Sequence, residues 1–329
     1  MLVLYYALEV TSSIDKSVEA ALVAGAHKEL AYLEQFGQPL LPFQRERREA
    51  YQYQEQSPSA HVENLNRYLL ITSSLVPKDP VRGRFCIRHP DAQHGNIIVS
   101  RSANSDWQII GLIDWQHTPI LPLFAIAGVP QRLQNYDDPV SQSMTYPSLP
   151  EDFDELDENE RAGAEEVYLR RLGHYYYLMN TEEYNYLHYV VETDDMYVLR
   201  RRLFIQTSEP WEGETLDLKI ALIRAMEKWK ALTGGNVPCP LVFDVDDVQE
   251  TIELNAIQER AVETTAKCQD LIGLGPEGWV PVWYYEEAVA RNNQMKNMAL
   301  SGAAADSLQV YEEIMSHWPF DDMDEEKYM

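Results

Sequence analysis

The chain of 329 residues has few cysteines and no long hydrophobic run. Its three cysteines, Cys86, Cys239 and Cys268, lie far apart and are odd in number. They therefore exclude a disulfide framework and a four-cysteine zinc site, and they favour a reducing compartment. No apolar run reaches the roughly 18 residues that a membrane span requires, so we expect no membrane span.

Basic residues are also scarce. Lys and Arg total 27 against 53 Asp and Glu, which gives a formal net charge of −26. A surface of this charge repels phosphates before any contact forms, so the composition argues against nucleic acid as a partner. Anionic membrane surfaces are disfavoured for the same reason.

The first ten residues are apolar but carry no basic residue, and the first lysine is Lys16. A secretory signal has a positively charged start, and a mitochondrial transit peptide is rich in arginine and poor in acids. The beginning of the sequence resembles neither kind of targeting segment.

Hydrophobic periodicity predicts a mostly helical fold with one small group of strands. Helical patterns cover residues 17–36, 58–74, 160–179, 216–232, 246–272 and 284–316. Short apolar runs predict buried strands at 85–87, 97–99 and 107–113, of which the last two form a hairpin. The length allows two domains, which we place at 1–240, with the strand cluster at 85–115, and at 241–329. The second is predicted to be an antiparallel helical hairpin followed by an acidic tail.

An acidic stretch separates the strand cluster from the later helices. Seven of the ten residues from Glu151 to Glu160 are Asp or Glu. We interpret this stretch as a solvated connection, since like charges repel and few apolar side chains are available for burial.

Two other motifs have plain structural interpretations. Gly273 to Gly278 reads G-x-G-x-x-G, but a helix precedes it rather than a strand, so it is interpreted as a helix stop and a tight turn. The pair Asp244 and Asp246 follows an apolar run, as in a phosphatase nucleophile motif. We instead predict Asp246 as the N-cap of the following helix.

One cluster of polar residues indicates chemistry. His89, Pro90 and Asp91 lie on a turn, Asn96 follows five residues after Asp91, and Asp114 ends the next strand. A carboxylate on such a turn can accept a proton from an attacking hydroxyl. Amide and carboxylate oxygens are the ligands that Mg²⁺ prefers, and the hairpin should bring Asn96 and Asp114 to one end. We expect their side-chain oxygens within about 4–7 Å of each other.

The spacing Asp-x-x-x-x-Asn with a later strand-borne Asp is that of a phosphotransferase catalytic loop. These motifs resemble those of aminoglycoside phosphotransferase-like kinases. Within that superfamily the sequence is most similar to the fungal group of altered inheritance of mitochondria protein nine. Arg88 to Asp91, Gly111 to His117 and Trp318 to Asp322 carry this narrower resemblance, which extends over nearly the whole chain from about Ser17.

The resemblance implies the C-terminal lobe of a protein kinase-like fold. It implies Asp91 as the catalytic base, Asn96 and Asp114 as Mg²⁺ ligands, and His89 as a structural residue that supports the loop. Mg²⁺ and ATP are the implied cofactors, and a small-molecule hydroxyl is the acceptor, whose identity stays open. One departure is Gln93, which with its two neighbours replaces the usual Leu-His-Pro.

The resemblance also implies a mitochondrial location, although the absence of a transit peptide leaves the cytoplasm open. The acidic aromatic tail from Trp318 to Glu326 could pack on the lobe or bind a protein partner. A kinase needs a glycine-rich loop and a strand lysine before the catalytic loop. The three glycines before Asp91, at positions 25, 37 and 83, have no strand-turn-strand context.

We therefore expect a truncated kinase that carries the C-terminal lobe without the N-terminal lobe and is inactive alone. The alternative is a non-catalytic helical scaffold or pseudokinase linked to mitochondrial function.

Overall fold

The computed structural model describes residues 17–321, except 103–105, 137, 236 and 276–277. The described residues are mostly helical. The α-helices are α1 (Val18–Phe36), α2 (Ser59–Leu75), α3 (Leu123–Ile126), α4 (Pro139–Gln142), α5 (Glu158–Tyr184), α6 (Tyr186–Thr193), α7 (Asp195–Gln206), α8 (Leu216–Glu227), α9 (Trp229–Thr233), α10 (Val245–Ile272), α11 (Tyr285–Asp306) and α12 (Leu308–His317). None of these helices is both long enough and apolar enough to cross a membrane.

The described strands form two small antiparallel sheets. Strand β2 (Ile97–Arg101) pairs with β3 (Trp107–Leu112), as the sequence predicts. Strand β1 (Phe85–Ile87) instead pairs with β4 (Ile120–Pro122), which the sequence does not predict. Three residues in a proline-rich stretch are too few to show the period of two that marks a strand.

The chain divides into two compact units, and the first comprises the described residues of 23–72 and 206–321. Its core contains fully buried side chains of α2 and α8, among them Leu65, Tyr68, Ile71 and Leu222. The long helix α10 packs on α8 and on the 3₁₀-helix Arg45–Tyr51. This unit therefore has its own hydrophobic core, the feature that makes a unit independently stable.

The second unit comprises the described residues of 17–22 and 73–205 and contains both sheets. Phe124 of α3 and Val191 of α6 are fully buried in its core, and α5 packs against α6. Arg200 of α7 donates from Nε to the Leu75 carbonyl at 3.0 Å. The polar cluster from His89 to Asp114 lies in this unit.

Most predicted helices are present, but three details of the prediction are wrong. The helix predicted over 216–232 is broken at Lys228, and the one predicted over 284–316 is broken at Ser307. Ser307 has φ −160° and ψ 130°, an extended conformation that no α-helix contains. The prediction also missed α6 and α7, of which α7 has only a weak helical period.

The acidic stretch is not only a connection, because a helix begins inside it. Asp157 accepts the backbone N–H of Glu160 at 2.9 Å, and Glu160 Oε2 accepts the N–H of Asp157 at 3.2 Å. This reciprocal pair is a capping box, in which acids also favour the positive end of the helix dipole. The acids therefore start α5 rather than preventing it.

The N-cap of α10 is Asp244 rather than Asp246. Asp244 accepts the backbone N–H of Asp246 at 3.1 Å, so Asp246 already lies in the first turn. At the other end, Gly273 has φ +89° and ends the helix, as the glycine motif predicts. Residues 276 and 277 of that motif lie outside the described residues.

The helices α10 and α11 contact each other near their connection, where Arg291 Nη1 donates to the Ile272 carbonyl at 3.4 Å. The beginning of the tail also packs on the first unit. Trp318 is buried and donates from Nε1 to Asn292 Oδ1 at 2.8 Å, and Lys296 pairs with Asp321 at 2.6 Å. The remaining acids of the tail lie outside the described residues.

Two buried titratable groups of the first unit have opposite pKa shifts. Burial raises the pKa of Glu29 to about 7, although its Oε1 accepts the Trp211 N–H at 2.7 Å. Burial lowers the pKa of His61 to about 4. Folding therefore binds a proton at Glu29 between about pH 4.5 and 7 and releases one at His61 between about pH 4 and 6.5.

The two shifts predict that Glu29→Gln changes how the free energy of unfolding depends on pH. Glu29 contributes stability at low pH that is lost as the pH rises to about 7, and His61 contributes stability that is lost as the pH falls to about 4. Without Glu29, unfolding free energy should rise with pH relative to wild type, by up to about 3 kcal/mol between pH 4.5 and 7. Urea unfolding of both proteins at several pH values measures the difference. Glu34→Gln, at an exposed position of α1, is the control and should follow wild type.

Candidate functional site

His89 connects the turn at residues 89–96 to the end of β3. It is 7% exposed, and its Nε2 lies 2.7 Å from the Ile113 carbonyl oxygen. The backbone N–H of Asp91 donates to its Nδ1 at 3.2 Å. A carbonyl can only accept and an N–H can only donate, so the ring is neutral with its proton on Nε2. The edge of the Trp115 ring packs against it, with ring centroids 4.7 Å apart.

Asp91 is exposed, and amide groups from two residues hold one of its carboxylate oxygens. Gln93 Nε2 donates to Oδ2 at 2.7 Å and Asn96 Nδ2 donates to the same atom at 3.1 Å. Among the described residues, Oδ1 has no hydrogen-bond partner. The turn therefore fixes the carboxylate in one orientation and leaves one oxygen available to a substrate.

Asn96 is 8% exposed, and contacts with Asp91 determine how its amide is turned. Its Nδ2 donates to the Asp91 carbonyl at 2.9 Å as well as to the Asp91 carboxylate. Both partners can only accept, so nitrogen must be the atom on this side. The amide oxygen Oδ1 therefore points to the other side of the group, where it can accept a hydrogen bond or bind a hard cation.

Asp114 lies at the same end of the β2–β3 hairpin as Asn96. The Ile113 N–H donates to the Asn96 carbonyl at 3.0 Å, and Asp114 follows directly. Asp114 is exposed and has φ +63°, in the left-handed region that Asp tolerates better than most residues. Strained backbone of this kind is concentrated at functional sites. The 4–7 Å separation of the two side chains stays a prediction.

The hairpin is distorted and exposed near this end. Ile98 pairs with Gly111 and Val99 pairs with Ile109, so Ile110 is the extra residue of a β-bulge. Bulges increase strand twist and redirect side chains next to sites. The strands are not buried as predicted, since Trp107 and Ile109 are each 68% exposed.

Two arginines bind the backbone of residues 126–128 on the other side of the turn at residues 89–96. Arg88 donates to the carbonyls of Ile126 and Gly128, and Arg201 donates to the Ala127 carbonyl. The Tyr177 hydroxyl also donates to the Gly128 carbonyl, at 3.2 Å. Arg88 directly precedes His89, so the turn is anchored on both sides of the histidine.

Sequence reasoning missed the roles of Gln93 and Arg88. The sequence shows Gln93 only as a departure from the family pattern. In the structure its hydrogen bond to Asp91 Oδ2 is shorter than that of Asn96. The hydrogen bond between Gln93 and Asp91 could have been predicted, because an amide two residues after a carboxylate can reach it across a turn. The partners of Arg88 are backbone carbonyls about forty residues later, which no local pattern reveals.

Among the described residues, no three His, Cys, Asp or Glu side chains form a group that could hold a metal ion. A cation at the end of the hairpin would therefore have Asn96 and Asp114 as its protein ligands, with other positions left to water or phosphate oxygens. Mg²⁺ commonly binds proteins in this way, through one or two side chains plus substrate phosphates.

Comparison with known families finds a similarity to a phosphotransferase family. Residues 7–122 match the model described as "Phosphotransferase enzyme family". The match contains His89, Asp91, Asn96 and Asp114, and it fits the kinase-like fold of a helical chain with small two-stranded sheets.

Two curated relatives are both called "Subtelomeric hrmA-associated cluster protein" and come from two strains of Aspergillus fumigatus. Each is 25% identical over 270 residues, which cover 82% of this chain and 51% of the relative. The chain thus spans about half the length of the curated relatives it matches. No solved structure matches the chain.

The bridging role of His89 predicts that His89→Ala destabilises the fold. The substitution leaves the Ile113 carbonyl and the Asp91 N–H without their partner, at about 1–3 kcal/mol for each group that stays buried. We expect a loss of roughly 2–4 kcal/mol in unfolding free energy by urea titration. His94→Ala, at an exposed position of the same loop, should change stability by less than about 0.5 kcal/mol. Equal effects of the two substitutions would contradict the bridging role.

Proposed function

We propose that the hairpin site serves an ATP- and Mg²⁺-dependent transfer of phosphate to the hydroxyl of a small molecule. The observation that carries this proposal is the hydrogen-bonded group of Asp91, Gln93 and Asn96 at the end of the hairpin that also carries Asp114. The family match over residues 7–122 supports it.

Asp91 is proposed as the catalytic base. Its Oδ2 accepts two amide N–H bonds, so Oδ1 is the atom that can receive the proton of the acceptor hydroxyl. A positioned base of this kind contributes about 10²–10⁴-fold to a rate. Gln93 and Asn96 are proposed as the positioning residues that keep this oxygen turned toward the acceptor.

Asn96 and Asp114 fit an Mg²⁺ ion by the chemistry of their donors. The Asn96 amide nitrogen is committed to Asp91, which leaves a neutral oxygen, and Asp114 supplies an exposed anionic oxygen. Hard cations select such oxygens over nitrogen or sulfur. Mg²⁺, when bound, supplies charge neutralisation for nucleotide phosphates. Asn96 therefore connects two tasks, since one amide orients the base and offers a metal ligand.

We also propose a small-molecule acceptor, a mitochondrial location and membership of the narrower family. The resemblance to the group of altered inheritance of mitochondria protein nine supports a mitochondrial location and a small-molecule acceptor. The curated relatives are about twice as long as the matched region, so the activity of a full-length relative is not attributed to this chain. The narrower resemblance stays a prediction that rests on Arg88 to Asp91 and Gly111 to His117.

We predict that this chain alone binds Mg·ATP only at millimolar concentrations or weaker. Among residues 17–84 the described elements are helices, turns and a single isolated bridge between Leu40 and Gln56, with no glycine-rich hairpin to cover phosphates. Positioning of reactants supplies up to roughly 7–11 kcal/mol of a barrier, so turnover should be very slow. Calorimetry with Mg·ATP measures the affinity, and phosphate release measures turnover.

A test variant and a matched control variant are compared in the turnover measurement. Asp91→Asn should abolish any residual turnover, whereas Asp106→Asn, at the opposite end of the hairpin, should leave it unchanged. Micromolar Mg·ATP affinity would contradict the predicted weak binding. Turnover that is insensitive to Asp91→Asn would contradict the role of the base.

A further inference from the structure

The first unit contains an open cavity that the proposed phosphate transfer does not use. Its volume is about 370 Å³, within the usual range for small-molecule sites. Its lining includes six titratable side chains: Arg47, His61, Glu209, Glu212, Glu214 and Asp217. Four carboxylates face one guanidinium, so the cavity is strongly acidic.

Only half of these carboxylates have a cationic partner. Arg47 Nη1 lies 2.7 Å from Glu214 Oε1 and 3.1 Å from Asp217 Oδ2. Glu214 Oε2 also accepts Gln258 Nε2 at 2.8 Å. Among the described residues, the carboxylates of Glu209 and Glu212 pair with no cation. The wall formed by residues 209–212 therefore carries uncompensated negative charge.

The surroundings of these two carboxylates disfavour their ionised forms. Partial burial, together with Asp217 and Glu212, raises the pKa of Glu209, and the nearby Arg47 opposes this shift by a smaller amount. Partial burial and the nearby Glu214 raise the pKa of Glu212. A positive charge placed between them would relieve both effects, and it would lower both pKa values.

His61 provides an independent indication that the cavity is incomplete. The residue is only 4% exposed and lines the cavity, and its Nδ1 lies 2.9 Å from Thr215 Oγ1. Its other ring nitrogen, Nε2, is buried without a hydrogen-bond partner. A buried polar atom without a partner is costly and rare in native structures. A residue of the lining thus carries an unsatisfied polar atom, in addition to the unpaired carboxylates of Glu209 and Glu212.

The chemistry of the lining favours an organic cation over a metal ion. No group of three His, Cys, Asp or Glu side chains in the described part of the chain is arranged to hold a metal. The carboxylates are instead distributed around an open volume. Ammonium groups joined by a flexible apolar chain can reach carboxylates that a single metal ion cannot bridge.

We propose that this cavity binds a small aliphatic polyamine, with its ammonium groups at Glu209 and Glu212. The salt bridges of Arg47 engage Glu214 and Asp217, so Glu209 and Glu212 are the carboxylates that remain available to a cationic ligand. The ligand is an organic dication or trication, for which spermidine is a suitable probe. The proposal is independent of the phosphotransferase site, because none of its residues belongs to that site.

Isothermal calorimetry of the full chain with spermidine tests the proposal. The double variant Glu209→Gln/Glu212→Gln should weaken binding at least tenfold. The control Glu165→Gln/Glu182→Gln removes the same charge from exposed positions of α5 and should change affinity less than twofold. Binding should also release protons at pH values where Glu209 and Glu212 are partly protonated, which calorimetry in two buffers of different ionisation enthalpy detects.

Three outcomes would overturn the proposal. Equal weakening by both double variants would mean that spermidine is attracted by net charge alone. Saturation by Mn²⁺ at lower concentrations than spermidine, with the same loss in Glu209→Gln/Glu212→Gln, would mean a metal site. The absence of any spermidine heat at millimolar concentrations would mean that the cavity binds no polyamine.

Discussion

The geometry of the candidate site depends on one imidazole ring. His89 donates to the Ile113 carbonyl and accepts from the Asp91 N–H, so a single side chain connects the loop that carries Asp91 to the strand end that carries Asp114. Both partners are backbone groups, and a buried backbone group without a partner is costly. The ring therefore couples the positions of Asp91 and Asp114, although 22 residues separate them in the sequence.

Around that ring, hydrogen bonds between neighbouring polar groups fix the orientation of each side chain. Asn96 gives its amide nitrogen to Asp91, which fixes the carboxylate and at the same time turns the amide oxygen away from it. Gln93 holds the same carboxylate oxygen from the other direction. Arg88 anchors the start of the turn to the carbonyls of residues 126 and 128. Preorganisation of this kind is what a phosphotransferase requires, because its catalysis is mostly positioning and charge stabilisation.

Much of the fold could be predicted from the sequence, because many of its elements are determined by local sequence. The helix Val245–Ile272 ends at a glycine, and β2 and β3 are neighbours in the sequence joined by a short loop. Strand β4 could not be predicted, because Ile120–Pro122 is a strand only through its pairing with β1. Within the candidate site, residue types and spacing predict Asp91, Asn96 and Asp114 as one group, and the family resemblance adds His89. The partners of Arg88 and the acidic cavity could not be predicted, because both depend on segments distant in sequence.

The most direct test of the account is where a divalent cation binds on the hairpin. Two tryptophans report on its two ends: Trp115 follows Asp114, and Trp107 begins β3, roughly 20 Å away at about 3.3 Å per residue. Mn²⁺ replaces Mg²⁺ at oxygen sites and broadens nearby NMR signals. In a titration of the full chain with substoichiometric Mn²⁺, the account predicts that the indole N–H signal of Trp115 is broadened before that of Trp107. Equal broadening of both signals, or broadening of Trp107 first, would contradict a metal site formed by Asn96 and Asp114.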